Sequence, residues 1–188
     1  VVYAAYAQFQ EDCIEFGIES HPAKCEVYVS APEYDSPDRP PEIPLGGIEI
    51  GGVFQPGIEV AGCPVGSSPY VQDVLRNQKF SKIVSDIETQ CTALQLAEPM
   101  ALWTVLYHSA QRRAGFWMQN CFPSDVLPCI TELVDALDRM VVESFGAALV
   151  FEDPFILSRF RLPVKFGGAG IRSQEDVVRA AFVGALWQ

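Results

Sequence analysis

Arg112, Arg113, Arg159, Arg161, Lys165 and Arg172 gather much of the positive charge into residues 112–172. Such a set can contact phosphate groups on an otherwise acidic body. Arg112 and Arg113 also sit near the end of a predicted helix, where cations offset the dipole. The glycine-rich run Phe166-Gly-Gly-Ala-Gly-Ile-Arg-Ser173 precedes a helix start, a setting in which backbone N–H groups can cradle an anion. It lacks the preceding strand and the following Lys-Ser/Thr of a P-loop, so a tight structural turn at 166–170 is expected. The acid pairs Glu11/Asp12, Glu152/Asp153 and Glu175/Asp176 are adjacent and cannot face one another on a helix. Asp135 and Asp138 share a face, read as the solvated side of an amphipathic helix. None of these pairs has the make-up of a metal site. His21 and Cys25 are four apart, but Pro22 between them makes a turn and no second ligand pair accompanies them, so no zinc site is expected. Cys121 with His108 lacks the local signature of a nucleophile and its base.

The surroundings restrict these options further. The chain carries 24 Asp plus Glu against 13 Lys plus Arg, a formal net charge of -11. An acidic surface repels phosphate backbones and argues against a stand-alone nucleic-acid binder, which usually shows a basic excess. The cysteines Cys13, Cys25, Cys63, Cys91, Cys121 and Cys129 form no C-x-x-C pair and mostly lie on apolar stretches. They read as buried free thiols of a reducing compartment, hence an intracellular protein, cytoplasmic or nuclear. No run approaches the roughly 20 apolar residues that span a bilayer, so no membrane association is expected. With 188 residues, 49% of them hydrophobic, the chain makes one domain or one and a fraction. It buries roughly two-thirds of its unfolded surface and needs no disulfide or metal to hold it. Both ends fall inside what reads as mid-element sequence, so both are expected to be cuts.

The elements follow from periodicity. Val2, Tyr6, Phe9, Cys13 and Phe16 form one helix stripe, closed by Gly17. Cys25 to Ser30 has the β-branched and aromatic content of a strand. Pro32, Pro37, Pro40, Pro41 and Pro44 make residues 31–47 a loop. Two short strands follow, 48–54 and 57–61, with a turn around Gln55-Pro56-Gly57. From Ser68 the period is helical for some 25 residues through Val71, Val74, Leu75, Ile83, Val84, Ile87, Cys91 and Leu94. A second long helix opens near Pro99, carries Trp103, Leu106, Ala110, Ala114 and Trp117, and ends at Phe122-Pro123. A third starts between Ser124 and Pro128, shows Ile130, Leu133, Val134, Leu137, Met140, Val141 and Phe145, and closes at Gly146. A short helix is expected around Pro154 to Phe160, and a last one opens with the capping-box-like Ser173-Gln-Glu-Asp176. The fold class is therefore α+β and mostly helical: a helix and a small antiparallel sheet over 1–66, then a helical bundle over 67–188.

Four stretches in order resemble non-LTR retrotransposon reverse transcriptases. Residues 3–16 resemble the helix that follows the active-site hairpin. Gly17-Ile-Glu-Ser-His-Pro-Ala-Lys-Cys-Glu26 resembles motif D, with His21 where the family usually has Asn and Ser20 where an apolar residue is usual. Val60-Ala-Gly-Cys-Pro-Val-Gly66 is similar to the motif E hairpin, the primer grip. Leu162-Pro-Val-Lys-Phe-Gly-Gly-Ala-Gly-Ile-Arg-Ser173 resembles a block found after the thumb of many retroelement polyproteins. The resemblance implies a palm remnant over 1–66 followed by a thumb-like region over 67–188. It implies that Lys24 lies near the incoming triphosphate as a general acid for the leaving group. Gly62 and its neighbours would hold the primer end, and the helices would clasp an RNA–DNA template–primer duplex through its backbone. The nucleic-acid-binding residues on this reading are Lys24, Gly62, Arg112, Arg113 and Lys165.

The parent enzyme's chemistry uses magnesium held by palm aspartates, including a Tyr-x-Asp-Asp hairpin. That hairpin is expected just before Val1, and no Tyr-x-Asp-Asp occurs in these 188 residues. The chain on its own is therefore expected to be inactive, a reverse-transcriptase-like fragment that keeps the elements for template–primer binding. The competing expectation is a decayed or domesticated retroelement domain that binds a protein partner, which the charge of -11 favours. An unrelated small enzyme has neither a nucleophile–base pair nor a metal cluster to support it.

Overall fold

Gly17 ends the first helix by adopting a left-handed φ of +68°. Its N–H donates to the Ile14 carbonyl at 3.0 Å, and the Ile18 N–H donates to the Cys13 carbonyl at 2.8 Å. These are the paired bonds of a glycine-capped helix end. The helix, α1, spans Val2–Glu15. Its buried side is not the expected stripe. Val2, Phe9 and Phe16 are exposed, and the inward line runs through Tyr3, Tyr6, Gln10 and Cys13. Polar partners outside the helix explain the choice of face: the Tyr3 hydroxyl donates to Asp35 at 3.2 Å, and the Tyr6 hydroxyl donates to Cys25 Sγ at 4.0 Å.

The structure is a computed structural model that describes residues 2–19, 21–32, 35–94, 99–144 and 154–187. Ser20, Phe145, Gly146 and the Glu152/Asp153 pair lie outside the described residues. The chain divides into two compact units, Val1–Val71 and Gln72–Gln188. The architecture is α+β and mostly helical, with one small antiparallel sheet in the first unit.

The strand expected over Cys25 to Ser30 does not form. Pro22–Lys24 is a single 3₁₀ turn, and beyond it Val27 makes one isolated parallel bridge with Leu45. The Val27 N–H donates to Pro44, and the Gly46 N–H donates back to Val27 at 2.9 Å. Strand propensity without an extended partner yields only this bridge, because Pro44 has no donor to return. The proline-rich loop is nonetheless tied down. Arg39 pairs with Asp35 at 2.7 Å and donates to the Ile43 carbonyl, and the Ile43 side chain is buried.

The sheet consists of β1 (Gly47–Ile50), β2 (Val53–Val60) and β3 (Cys63–Gly66), in the order β1-β2-β3. The turn expected at Gln55-Pro56-Gly57 is instead the middle of β2. The turns are Gly51-Gly52 and Ala61-Gly62, and all four residues have positive φ. Two-residue hairpin turns need that geometry, since it follows the strand twist. Pro56 survives in a central strand because β2 changes partner there: β1 pairs with residues 53–56 and β3 with residues 57–60. The Pro56 carbonyl still accepts from the Ser67 N–H at 2.9 Å.

The long helix expected from Ser68 is continuous, but its spacing is not. It runs as α2 (Ser68–Asp73), a π-helical stretch Val74–Phe80, and α3 (Ser81–Leu94). The buried positions step from Leu75 to Phe80, a gap of five, before resuming at Ile83, Ile87 and Cys91. A π turn makes i to i+5 neighbours, and this is what admits Phe80 to the core. The helix expected from Pro99 to Phe122 is broken into α4 (Pro99–His108), a 3₁₀ turn Ala110–Arg112 and α5 (Gly115–Asn120). Ala110 and Ala114 are fully buried on either side of the break.

The remaining helices are α6 (Pro123–Ser144), α7 (Pro154–Arg161) and α8 (Gln174–Leu186). Helix α6 begins at Pro123 and carries Pro128 inside it. It forms the spine of the second unit: Val126, Cys129, Ile130, Leu133, Leu137 and Val141 are at most 3% exposed. Steps of three and four put these side chains on one face. The glycine-rich run is a tight turn, as its composition suggested. Gly167 and Gly170 have positive φ, and the Ala169 carbonyl accepts from the Trp103 indole at 2.9 Å.

Candidate functional site

Lys24, the expected general acid, is the last residue of the 3₁₀ turn and is exposed. Gly62 occupies the second position of the β2–β3 turn at φ +82°, with open space where a Cβ would stand. The stretch that resembles the primer grip is therefore a β-hairpin. Its base is anchored by glycine on aromatic contact. A Cβ at Gly57 would overlap the ring of Tyr70, and one at Gly66 would strike the Gly57 backbone. Tyr70 is 6% exposed, and burial pushes its hydroxyl above the ordinary range, with Glu26 and Glu59 adding to the rise.

The cations of the second unit do not form one face. Arg112 and Arg113 are adjacent in sequence but line different clefts. Arg113 lines a cleft of about 470 Å³ with Lys79, Lys82 and Trp117, and its guanidinium reaches Asp86 at 3.4 Å and Gln90 at 3.3 Å. Arg161 is engaged elsewhere, in a 2.6 Å pair with Asp138 that joins α7 to α6. Asp138 is thus half-buried, not on a solvated face. Its pKa is raised by burial, which outweighs the lowering by Arg161. Lys165 stands exposed in the 3₁₀ turn Val164–Phe166, with its ammonium 4.8 Å from the centroid of the Phe166 ring.

Arg112 lines the other cleft, of about 410 Å³, where the break between α4 and α5 meets the start of α8. Its walls are Tyr107, Gln111, Arg112, Gly115, Met118 and Gln119 on one side and Gly170, Arg172, Gln174 and Val177 on the other. No acidic residue lines it, in a chain of net charge -11. The Arg172 main chain is clamped by two buried carboxamides. Gln111 Oε1 accepts from its N–H at 3.1 Å, and Gln174 Nε2 donates to its carbonyl at 3.5 Å. Gln111 in turn donates to the Tyr107 carbonyl. Gly170 is required at its position, since a Cβ would stand 2.6 Å from the Tyr107 ring. Among the described residues, neither the Arg112 nor the Arg172 guanidinium has an acidic partner.

The capping box expected at Ser173 is not made. Ser173 Oγ is buried without a hydrogen-bond partner among the described residues, and α8 has no side-chain cap. The sequence reading grouped Arg172 with the other cations but did not single out this cleft. Its makers, Gln111 and Gln174, carry no motif. Lys79 and Lys82 were also missed, although their three-residue spacing places them on one helix face.

Among the described residues no group of three or more His, Cys, Asp or Glu could hold a metal. With no Tyr-x-Asp-Asp in the sequence either, these residues do not fit the magnesium of a two-metal polymerase site. All six cysteines are free thiols, and Cys13, Cys91, Cys121 and Cys129 are buried. No helix among the described residues is long and apolar enough to cross a membrane. No protein-family model, curated protein or solved structure matches this chain.

Proposed function

We propose that the chain is part of a reverse-transcriptase-like protein, an RNA-directed DNA polymerase of retrotransposon type. In this reading it contributes primer-grip and thumb elements for binding an RNA–DNA template–primer duplex and performs no nucleotide transfer by itself. The observation that carries the reading is the β2–β3 hairpin. A two-residue turn at Ala61-Gly62 falls within the stretch that resembles motif E, and a helical bundle follows it directly. Lys24, Arg112, Arg113 and Lys165 are the cations this reading assigns to the duplex backbone, and Arg113 would exchange its 3.4 Å contact with Asp86 for a phosphate. An intracellular setting, cytoplasmic or nuclear, is supported by the free thiols.

The test is fluorescence anisotropy with a labelled RNA–DNA duplex, first at low salt and then with salt added. Weak binding that falls steeply with salt is expected, because phosphate contacts release counterions. No binding at low salt would remove the support for a template–primer role.

A second reading, a non-catalytic domain that docks on a protein, is favoured by two observations. The net charge is -11, and α1 with its cap leaves Val2, Phe9, Ile14, Phe16 and Ile18 each more than half exposed. Apolar side chains gathered on one element mark protein contacts more often than nucleic-acid contacts. Absence of duplex binding, together with self-association or partner capture that Phe9→Ser and Phe16→Ser abolish, would favour this reading.

A further inference from the structure

We infer that the cleft between the α4–α5 break and the start of α8 binds a phosphate monoester through Arg112 and Arg172. The inference stands on the cleft alone and does not require the reverse-transcriptase reading. Its volume of about 410 Å³ falls in the range that holds small ligands. Arg112 and Arg172 both line one cavity that has no acidic residue in its walls, although acidic residues outnumber basic ones in the chain by 24 to 13. Two arginines that share a cavity and have no acidic partner among the described residues leave their charge open to a bound anion.

The geometry favours phosphate over carboxylate. One planar guanidinium fork satisfies both oxygens of a carboxylate. Two forks have use for a group with three or more acceptor oxygens, and a phosphate monoester supplies them with close to two negative charges. Gln174 and Val177 of the cleft wall belong to the first turn of α8, whose acidic residues Glu175 and Asp176 offset the helix dipole and do not line the cleft, so the two arginines carry its positive charge. Arg172 is also prepared for the task. Its main chain is held on both sides by Gln111 and Gln174, while its side chain is exposed and has no acidic partner among the described residues. A fixed backbone under a free guanidinium lowers the ordering cost of binding. The side chain of Gln119 and the ring of Tyr107 provide polar and aromatic surface beside the two arginines, suited to the rest of a nucleotide.

The test is isothermal titration of the full chain at low salt with inorganic phosphate, adenosine monophosphate, and one oligonucleotide with and without a 5′-phosphate. Saturable binding of at least one phosphate-bearing probe is expected. Arg112→Gln and Arg172→Gln should each weaken it roughly tenfold or more, as loss of a charge-assisted pair does. Arg139→Gln, at an exposed arginine that lines a different cleft, should leave it unchanged. Tighter binding of the monophosphate than of inorganic phosphate identifies a nucleotide. Inorganic phosphate bound as tightly as the monophosphate makes free phosphate the ligand and overturns the assignment of a monoester. A preference for the phosphorylated oligonucleotide alone identifies a nucleic-acid end. No saturable binding of any phosphate probe, equal affinity in the wild type and both Arg112 and Arg172 variants, or equal binding of the two oligonucleotides with no binding of the small probes, overturns the inference. Both arginine side chains are exposed, so the variants should fold, which thermal unfolding checks. Should Arg172→Gln not fold, Arg172→Lys keeps the charge without the fork and should still bind measurably more weakly. Failure of the unphosphorylated RNA–DNA duplex to bind, with phosphate binding intact, would count against the template–primer role only.

Discussion

Gln111 accepts the Arg172 N–H at 3.1 Å across 61 residues of sequence. Gln111 is 9% exposed and lies in the 3₁₀ turn between α4 and α5, and Arg172 lies two residues before the start of α8. This bond ties the approach to α8 to the break between two other helices. Gln111→Ala removes the acceptor and leaves the Arg172 N–H to find another. The expected loss of stability is about 1–3 kcal/mol, read from urea unfolding. A loss well under that figure would mean that water satisfies the N–H as well as Gln111 does.

The contact between Gly57 and Tyr70 gives a second prediction. Gly57→Ala places a methyl group in the Tyr70 ring and should cost about 1–3 kcal/mol by overpacking. Gly184→Ala in α8 is the opposite case, with open space around the new methyl group and no positive φ. It should stabilise by about 0.5–1 kcal/mol, since alanine has less unfolded-state entropy to lose. Thermal melts of the two variants should move in opposite directions.

The thiols should separate into two reactivity classes. Burial pushes the Cys129 thiol up to about 11, so at neutral pH it holds far less thiolate than an ordinary cysteine. Burial raises Cys91 as well. In the native protein a thiol reagent should label the half-buried Cys25 and Cys63 first. Cys13, Cys91, Cys121 and Cys129 should react only when the fold opens. Rapid native labelling of Cys129, located by peptide mapping, would contradict its placement in the core.

Asp138 and Asp35 should give pH dependences of opposite sign. The folded pKa of Asp138 is raised by burial, so the folded state holds its proton more tightly than the unfolded chain. Its contribution is fully present below the ordinary value of 3.8 and is lost as pH rises through the folded value. Asp35 is lowered, chiefly by its hydrogen bond from Arg39, so its contribution is present above 3.8 and is lost as pH falls through the folded value. The stability difference between wild type and Asp138→Asn should therefore shrink with rising pH, and that for Asp35→Asn should grow. Slopes of the same sign in the two urea series would refute this.

The sequence made the fold legible where one face decided the matter. The steps of three and four in α6 were readable from Ile130 to Val141, because apolar periodicity and burial coincide there. It misled where a local signal competed with pairing. Pro56-Gly57 reads as a turn, yet the positive-φ pairs Gly51-Gly52 and Ala61-Gly62 hold the turns, and Pro56 needs no donor at the point where β2 changes partner. Cys25 to Ser30 has strand composition but finds only Leu45 to bridge. In α1 the tyrosine hydroxyls overrode a stripe counted from side-chain type alone. The cleft was not legible at all. Arg172 owes its setting to Gln111 and Gln174, and a single chain read without pairing information cannot reveal a partner 61 residues away.

The π-helical stretch Val74–Phe80 has one more consequence, for the length of the chain. The five-residue step from Leu75 to Phe80 is one longer than an α-helical step, and both side chains still reach the core. Deleting the exposed Gln78 would bring the two positions four apart and let an ordinary α-helix carry both inward. Elsewhere in a helix a one-residue deletion turns everything beyond it by about 100°, but here it would tighten a wide turn instead. The segment is therefore a place where this fold can change length and keep its interior.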